Sequence, residues 1–375
     1  MAQSKRISSI DGIKGISSII IIMYHVLLIP KLEISDNLQF VQQYFGHGVT
    51  LFFAISAFSL FLNYFHKIDG AASIKLFFVN RFARISPLFL CLLLFMAVRN
   101  WYYTGKTIPW PDFLINILYI FAFFPGKHVG IIWASWAIGV LFIFYFTAPI
   151  LMIFIRNLTY ALVFAAMTVI AGSCATHIFY AAQLPDYFYY LNFISQFPAF
   201  SFGILAYFCY RAYPIQNTTA KTIVSLSGFV GLFLILFALT LISGLGKSGL
   251  NTFVTNYRFS ICCLAAAILV YSQSVHGLAL IDNRISRYYG KICYSTYLLH
   301  PPVLIMMKTV YARIYAIDGI SRDLAYLTCC LLTILAVTPL AILAQKLIEI
   351  PGDRLLRKIA GHTLLKPDIV PAKAG

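Results

Sequence analysis

Blocks of about twenty apolar residues alternate with short polar stretches along the whole chain, and that length matches the roughly 20 residues a helix needs to cross a bilayer. The blocks predict spans at 12–29, 47–65, 85–101, 131–155, 158–179, 190–210, 222–243, 254–274, 289–309 and 324–348. One further apolar piece, FLINILYIFAFFP from Phe113 to Pro125, is too short to cross and reads as a re-entrant or interfacial segment. The expected fold is all-α: a polytopic transmembrane helical bundle of about ten spans. A single membrane domain is expected over residues 1–358, followed by a cytoplasmic tail over 359–375.

Composition agrees with this class. Of 375 residues, 61% are hydrophobic and only 11% charged, whereas soluble domains carry about 25% charged residues. The net charge of +16 does not point to nucleic acid, because the basic residues sit between apolar runs, where lysine and arginine set topology. With ten spans and an internal N-terminus, one side gathers Lys5 and Arg6, then Lys67, Lys75, Arg81 and Arg84. Arg156, Arg211, Lys221, the Arg284–Arg287–Lys291 cluster and the Arg354–Arg357–Lys358 cluster fall on that side too. Making 113–125 an eleventh span would move the last two clusters outside. The positive-inside rule therefore predicts a multi-pass protein of the cell (inner) membrane with both termini cytoplasmic. The first apolar run lacks a small-residue cleavage site and reads as a retained span. The eight cysteines lie in apolar surroundings without zinc or C-x-x-C spacing, so no metal site is expected.

Against this apolar background a few ionisable positions stand out. Lys14 opens the first span and His25 lies eleven residues on. Eleven residues make three helical turns, so both fall on one face, about 16 Å apart in depth. His300 lies well inside the ninth span, in GKICYSTYLLHPP, followed by Pro301 and Pro302, which disturb the helix ladder. Ionisable groups within a membrane are costly and by default functional. No carboxylate lies in the middle of a span, which disfavours ion coupling; two mid-depth histidines suit acid–base work on a neutral hydroxyl. Arg81 and Arg84, in FFVNRFARISP, lie three apart and match the paired guanidinium groups that grip phosphates. Structural readings compete with each: a snorkelling Lys14, a helix-packing bond at His25, and topogenic or lipid-binding charge at the arginine pair.

Taken together these motifs resemble acyltransferase family 3, membrane enzymes that transfer acyl groups, commonly acetyl from acetyl-CoA, onto sugar hydroxyls. DGIKG followed by His25 matches the family's opening Asp-Gly-x-Arg and histidine, with Asp11 in place and Lys14 at the arginine position. GVTLFFAISAF, containing Ser56, matches the next motif with Ala57 for its glycine. Arg81, Arg84 and Pro87 match an R-x-x-R pair before proline. In SWAIGVLFIFYF, Trp136 and Tyr145 fit, but Ala137 replaces a serine and Leu141 a glutamate. GKICYSTYLLHPP supplies Tyr294, Tyr297 and His300, and Glu349-Ile350-Pro351 closes the set.

The resemblance implies an O-acetyltransferase acting on a cell-envelope or exported polysaccharide, with acetyl-CoA as co-substrate, no further cofactor, and a glycan or lipid-linked sugar as acceptor among membrane lipids. It implies His25 as general base, His300 as its partner in catalysis, and Lys14, Arg81 and Arg84 as the donor site. Asp11, Ser56, Trp136, Tyr145, Tyr294, Tyr297 and Glu349 would support the site or the acceptor. The alternatives are a carrier or flippase for a glycan intermediate and a non-catalytic member, the latter because Leu141 removes a carboxylate.

Overall fold

The computed structural model describes residues 7–244 and 249–361. Lys5, Arg6, Lys247 and positions 362–375 of the expected tail lie outside the described residues. Among those described, the chain is helical and no strand occurs. In chain order the helices are α1 (Ser8–Leu28), α2 (Gln39–Tyr44), α3 (Gly48–Tyr64), α4 (Ala71–Thr104) and α5 (Trp110–Ile117). Then follow α6 (Trp136–Phe154), α7 (Leu158–Ala181), α8 (Phe188–Leu191), α9 (Phe193–Ala212) and α10 (Thr218–Ser243). The last are α11 (Gly249–Val275), α12 (Arg284–Met306), α13 (Lys308–Tyr315), α14 (Arg322–Ala344) and α15 (Ile350–Ile359).

Among the described residues, nine helices are long and apolar enough to cross a membrane. They account for nine of the ten expected spans. The tenth, α12, has 23 residues but a weaker apolar signal, because it carries the polar residues of the bundle centre. Protein replaces lipid around it: Ser286, Ser295, Thr296 and His300 are all buried, and it packs between α1 and α14. The 113–125 stretch does not cross. Its helix α5 has eight residues, about 12 Å, and a single 3-10 turn, Phe121–Phe123, follows. Tyr119 and Phe121 tuck their rings under it.

Parity gives independent support for that reading. An added Cβ on Gly15 would lie 2.0 Å from the Ser286 carbonyl oxygen, and one on Gly290 would lie 2.0 Å from that of Asp11. His25 meets His300 further along. Residue numbers rise together on both helices, so α1 and α12 run parallel. Seven crossings lie between them when 113–125 is excluded, which leaves them parallel; an eighth would make them antiparallel. Two glycines at the crossing let the backbones touch, as small residues do in membrane helix pairs.

Two helices differ in extent from the expectation. The third span starts at Ala71 and not near 85, giving a 34-residue helix of about 51 Å, longer than a hydrocarbon core of about 30 Å. Asn80, Arg81 and Arg84 thus ride on a helix already formed. The last span does not stop at 348. After α14 the residues Gln345–Glu349 form one π turn, in which the Ile350 N–H bonds the Gln345 carbonyl. Pro351 has no N–H to donate to Leu347, which removes the ordinary α-helical bond there. Beyond it α15 folds against α4, with Gly352 against Pro87 and Arg357 donating to the Asn80 side-chain oxygen.

Candidate functional site

The shared register of α1 and α12 carries His25 to His300. Nδ1 of His25 lies 2.8 Å from Nε2 of His300, with the two rings stacked at 4.9 Å and inclined by 20°. His300 is fully buried, whereas His25 is partly accessible. The other nitrogen of His300, Nδ1, is buried without a hydrogen-bond partner among the described residues, and the Thr296 and Tyr297 backbone lies beside the ring. Pro301, the next residue, has no N–H to offer the Tyr297 carbonyl four positions back.

A strap from the α5–α6 connection covers the pair. Trp133 meets His25 edge-on at 5.2 Å and 75°, and Tyr24 flanks it at 5.2 Å. Ala134 is left-handed, with φ 65°, a region unfavourable for a residue with a Cβ. The Tyr297 hydroxyl donates to the Ala134 carbonyl at 2.8 Å, which fixes the strap and with it Trp133.

Nearer the start of α1 lies a charged cluster. Lys14 Nζ is 3.6 Å from Asp11 Oδ1. The buried Cys293 is the common electrostatic neighbour of Lys14, Arg84, Glu349 and Asp11. Glu349, at the end of the π turn, accepts a hydrogen bond from the Ser295 hydroxyl. Arg84 is exposed, whereas Arg81 is half-buried between aromatic rings. Arg81 Nη2 donates to the Tyr64 hydroxyl at 3.0 Å, and its guanidinium carbon lies 5.2 Å from the Tyr64 ring centroid and 5.9 Å from that of Tyr145. Its Nε is buried without a hydrogen-bond partner. Tyr294 donates to the Ile85 carbonyl at 2.6 Å and so ties α12 to the arginine-bearing part of α4. Cys293 and His300 are seven residues apart on one helix, about 10 Å along its axis.

Most of the residues singled out in the sequence therefore converge. His25 and His300 touch. Asp11, Lys14, Arg84 and Glu349 lie within electrostatic range of one thiol, and Arg81 and Tyr145 stack beside each other. The two arginines have different neighbours: Arg81 turns to α3 and α6, Arg84 to α12 and the π turn. Tyr294 and Tyr297 hold backbone carbonyls, so their hydroxyls are committed to positioning helices. Trp136 packs on Phe53 and, with Leu141, packs against the hydrophobic core. Ser56 is half-buried on α3. Tyr24, Tyr64, Trp133 and Ser295 belong to the site and were not singled out. Of these, Ser295 lies inside the GKICYSTYLLHPP motif, whereas Trp133 stands two residues before SWAIGVLFIFYF begins.

The arrangement holds a histidine pair inside the bundle, an aromatic cover over it, and a cluster of mixed charge toward the start of α1 and α12. No curated protein and no solved structure matches the chain. A family model described as an acyltransferase domain matches residues 7–343, which includes every site residue named above except Glu349. Helices, site and match together make this chain an integral, multi-pass membrane protein that belongs to acyltransferase family 3.

Proposed function

We propose that the protein moves an acetyl group from acetyl-CoA to a hydroxyl of a cell-envelope or exported polysaccharide, or of its lipid-linked precursor. The observation that carries this reading is the 2.8 Å contact between His25 and His300. A buried imidazole pair without a metal-binding or carboxylate partner in contact is suited to passing one proton to and from a neutral hydroxyl.

We assign the proton of His300 to Nδ1, with the Thr296 and Tyr297 backbone beside the ring, leaving Nε2 as acceptor. His25 then donates Nδ1–H to His300, and its own Nε2 is the free base. The acceptor hydroxyl gives its proton to His25 Nε2 while its oxygen attacks the thioester carbonyl. The C–S bond breaks, the proton passes from His25 to the leaving sulfur, and the products are the ester and free CoA. His300 keeps the His25 ring oriented and stabilises its positive charge, as an orienting partner does for a histidine base. Arg81, Arg84 and Lys14 hold the donor's phosphates, Arg81 through a guanidinium with an unfilled Nε donor. The donor's thioester then has about 10–16 Å of helix axis to cover from that cluster to the histidines.

The donor cluster faces the cytoplasm under this reading, with both termini on that side, and the membrane is the cell (inner) membrane. The domain extends to 358 with a cytoplasmic tail beyond. The test is direct: purified protein in lipid nanodiscs, labelled acetyl-CoA and isolated envelope glycan, with mass spectrometry of the product. Ester on the glycan together with released CoA supports acyl transfer. Glycan crossing into sealed vesicles with no CoA released would make the protein a carrier.

A further inference from the structure

At the end of the bundle away from the charged cluster, a cavity of about 460 Å³ opens between α2, α7, α8, α9 and α11. Its walls are polar and aromatic, with Gln42, His47, Ser173 and Tyr190 among them, and no carboxylate is among the described lining residues. Arg258 is its one cation among the described lining residues apart from His47. The Arg258 guanidinium lies over the Tyr44 ring, 5.2 Å from its centroid. That ring is fixed, because the Tyr44 hydroxyl donates to the Leu236 carbonyl at 2.9 Å and contacts Thr240 at 2.6 Å. Nη2 of Arg258 is buried and has no hydrogen-bond partner among the described residues. A buried guanidinium nitrogen without an acceptor is costly, and an anion in the cavity removes that cost. Beside it Tyr190 and Phe259 meet edge to face at 5.5 Å and 82°, which presents aromatic surface to the C–H face of a sugar.

The cavity is also close to the histidines. His47 lines it, and the residue before it, Gly46, approaches Tyr24 so closely that an added Cβ would lie 3.2 Å from the ring. Tyr24 in turn flanks His25. We propose that this cavity is an acceptor-side binding site for a sugar unit bearing an anionic group, a phosphate or a carboxylate, with the anion on Arg258 and the ring against Tyr190 and Phe259. The assignment of the cavity to the acceptor rests on the acyl-transfer reading; the binding chemistry does not.

The test is calorimetric titration of the full-length protein in nanodiscs with glucose 1-phosphate, glucuronic acid, glucose and inorganic phosphate. At least one anionic sugar is expected to bind saturably and at least tenfold more tightly than glucose or inorganic phosphate. Preference for the sugar phosphate assigns a lipid-linked or phosphorylated acceptor; preference for glucuronic acid assigns an acidic glycan. Arg258→Gln should weaken that binding at least tenfold, and Arg258→Lys should restore part of it. Ser173→Phe fills the cavity from α7 without altering Arg258 and should also abolish binding, so the test survives misfolding of either variant. The proposal is overturned if neither anionic sugar binds, if Arg258→Gln and Ser173→Phe both bind as the wild type does, or if inorganic phosphate binds as well as the sugars. A separate titration with CoA reports on the donor reading alone: sugar binding without CoA binding would overturn acyl transfer and the acceptor role, and leave the cavity an anionic-sugar site of another function.

Discussion

Gly290→Ala should disable the site without touching it. The added methyl carbon would sit 2.0 Å from the Asp11 carbonyl oxygen and 2.7 Å from its carbonyl carbon. Both are backbone atoms of α1, so no side-chain rotation relieves the clash. Ordinary contact for a Cβ begins near 3.4 Å, so the helices must part by about 1.4 Å at this crossing. Carried along the helix pair, a separation of that size stretches the His25–His300 distance from 2.8 Å to about 4 Å, outside hydrogen-bond range. Overpacking a close contact costs about 1–3 kcal/mol of stability, and a misplacement of about 1 Å in a catalytic group can cost about 10²-fold in rate. The assay is acetyl transfer to glycan by purified protein, alongside thermal unfolding in the same detergent. Gly231→Ala is the control, because nothing lies within 4 Å of its added Cβ, and it should leave both measurements near wild type. A Gly290→Ala protein with wild-type transfer rate and melting temperature would refute the claim that this crossing sets the histidine geometry.

Three further outcomes follow from the same structure. Tyr297→Phe removes the donor to the Ala134 carbonyl and should cost about 1–3 kcal/mol, seen in thermal unfolding, with a drop in transfer as Trp133 loses its anchor; Ala134→Gly in that background should recover part of the stability, because glycine accepts the left-handed backbone. Arg84→Ala should raise the KM for acetyl-CoA with kcat changed less, by about the 1.5–3 kcal/mol of a charged hydrogen bond, and Arg81→Lys should keep charge but only part of the function, because the planar fork is lost. A reporter fused after Lys358 should read as cytoplasmic; an external reading would contradict the orientation drawn from the Arg284–Lys291 and Arg354–Lys358 clusters.

Fold class and most of the site were legible in the sequence for a simple reason. In a bilayer, apolar length and basic flanks set spans and direction, and an ionisable residue in mid-span stands out against its neighbours. Lys14, His25 and His300 were visible on that basis. α12 is the span with the weakest apolar signal because α1 and α14 stand where lipid would. The start of α4 was missed because residues 71–84 are polar enough to read as a loop, yet α15 packs on them and supports the helix. Partners brought in by tertiary contact left no periodic trace. Trp133 covers His25 across 108 positions, and Ser295 meets Glu349 across 54. Tyr294 and Tyr297 were legible as important, but their use was not: each hydroxyl donates to a main-chain carbonyl 2.6–2.8 Å away, a geometry no spacing reveals.

The central claim is that His25 takes the acceptor's proton. His25→Gln tests it most directly, because glutamine keeps a hydrogen bond to His300 within reach but cannot accept a proton at neutral pH. The measurement is the rate of acetyl transfer from labelled acetyl-CoA to glycan by the purified variant, with CoA binding and thermal unfolding followed on the same preparation. General-base assistance is worth about 10²–10⁴ in rate, so transfer should fall by that factor while CoA still binds and the protein stays folded. Transfer near the wild-type rate in His25→Gln would mean that the histidine pair only packs two helices, and the account would be wrong.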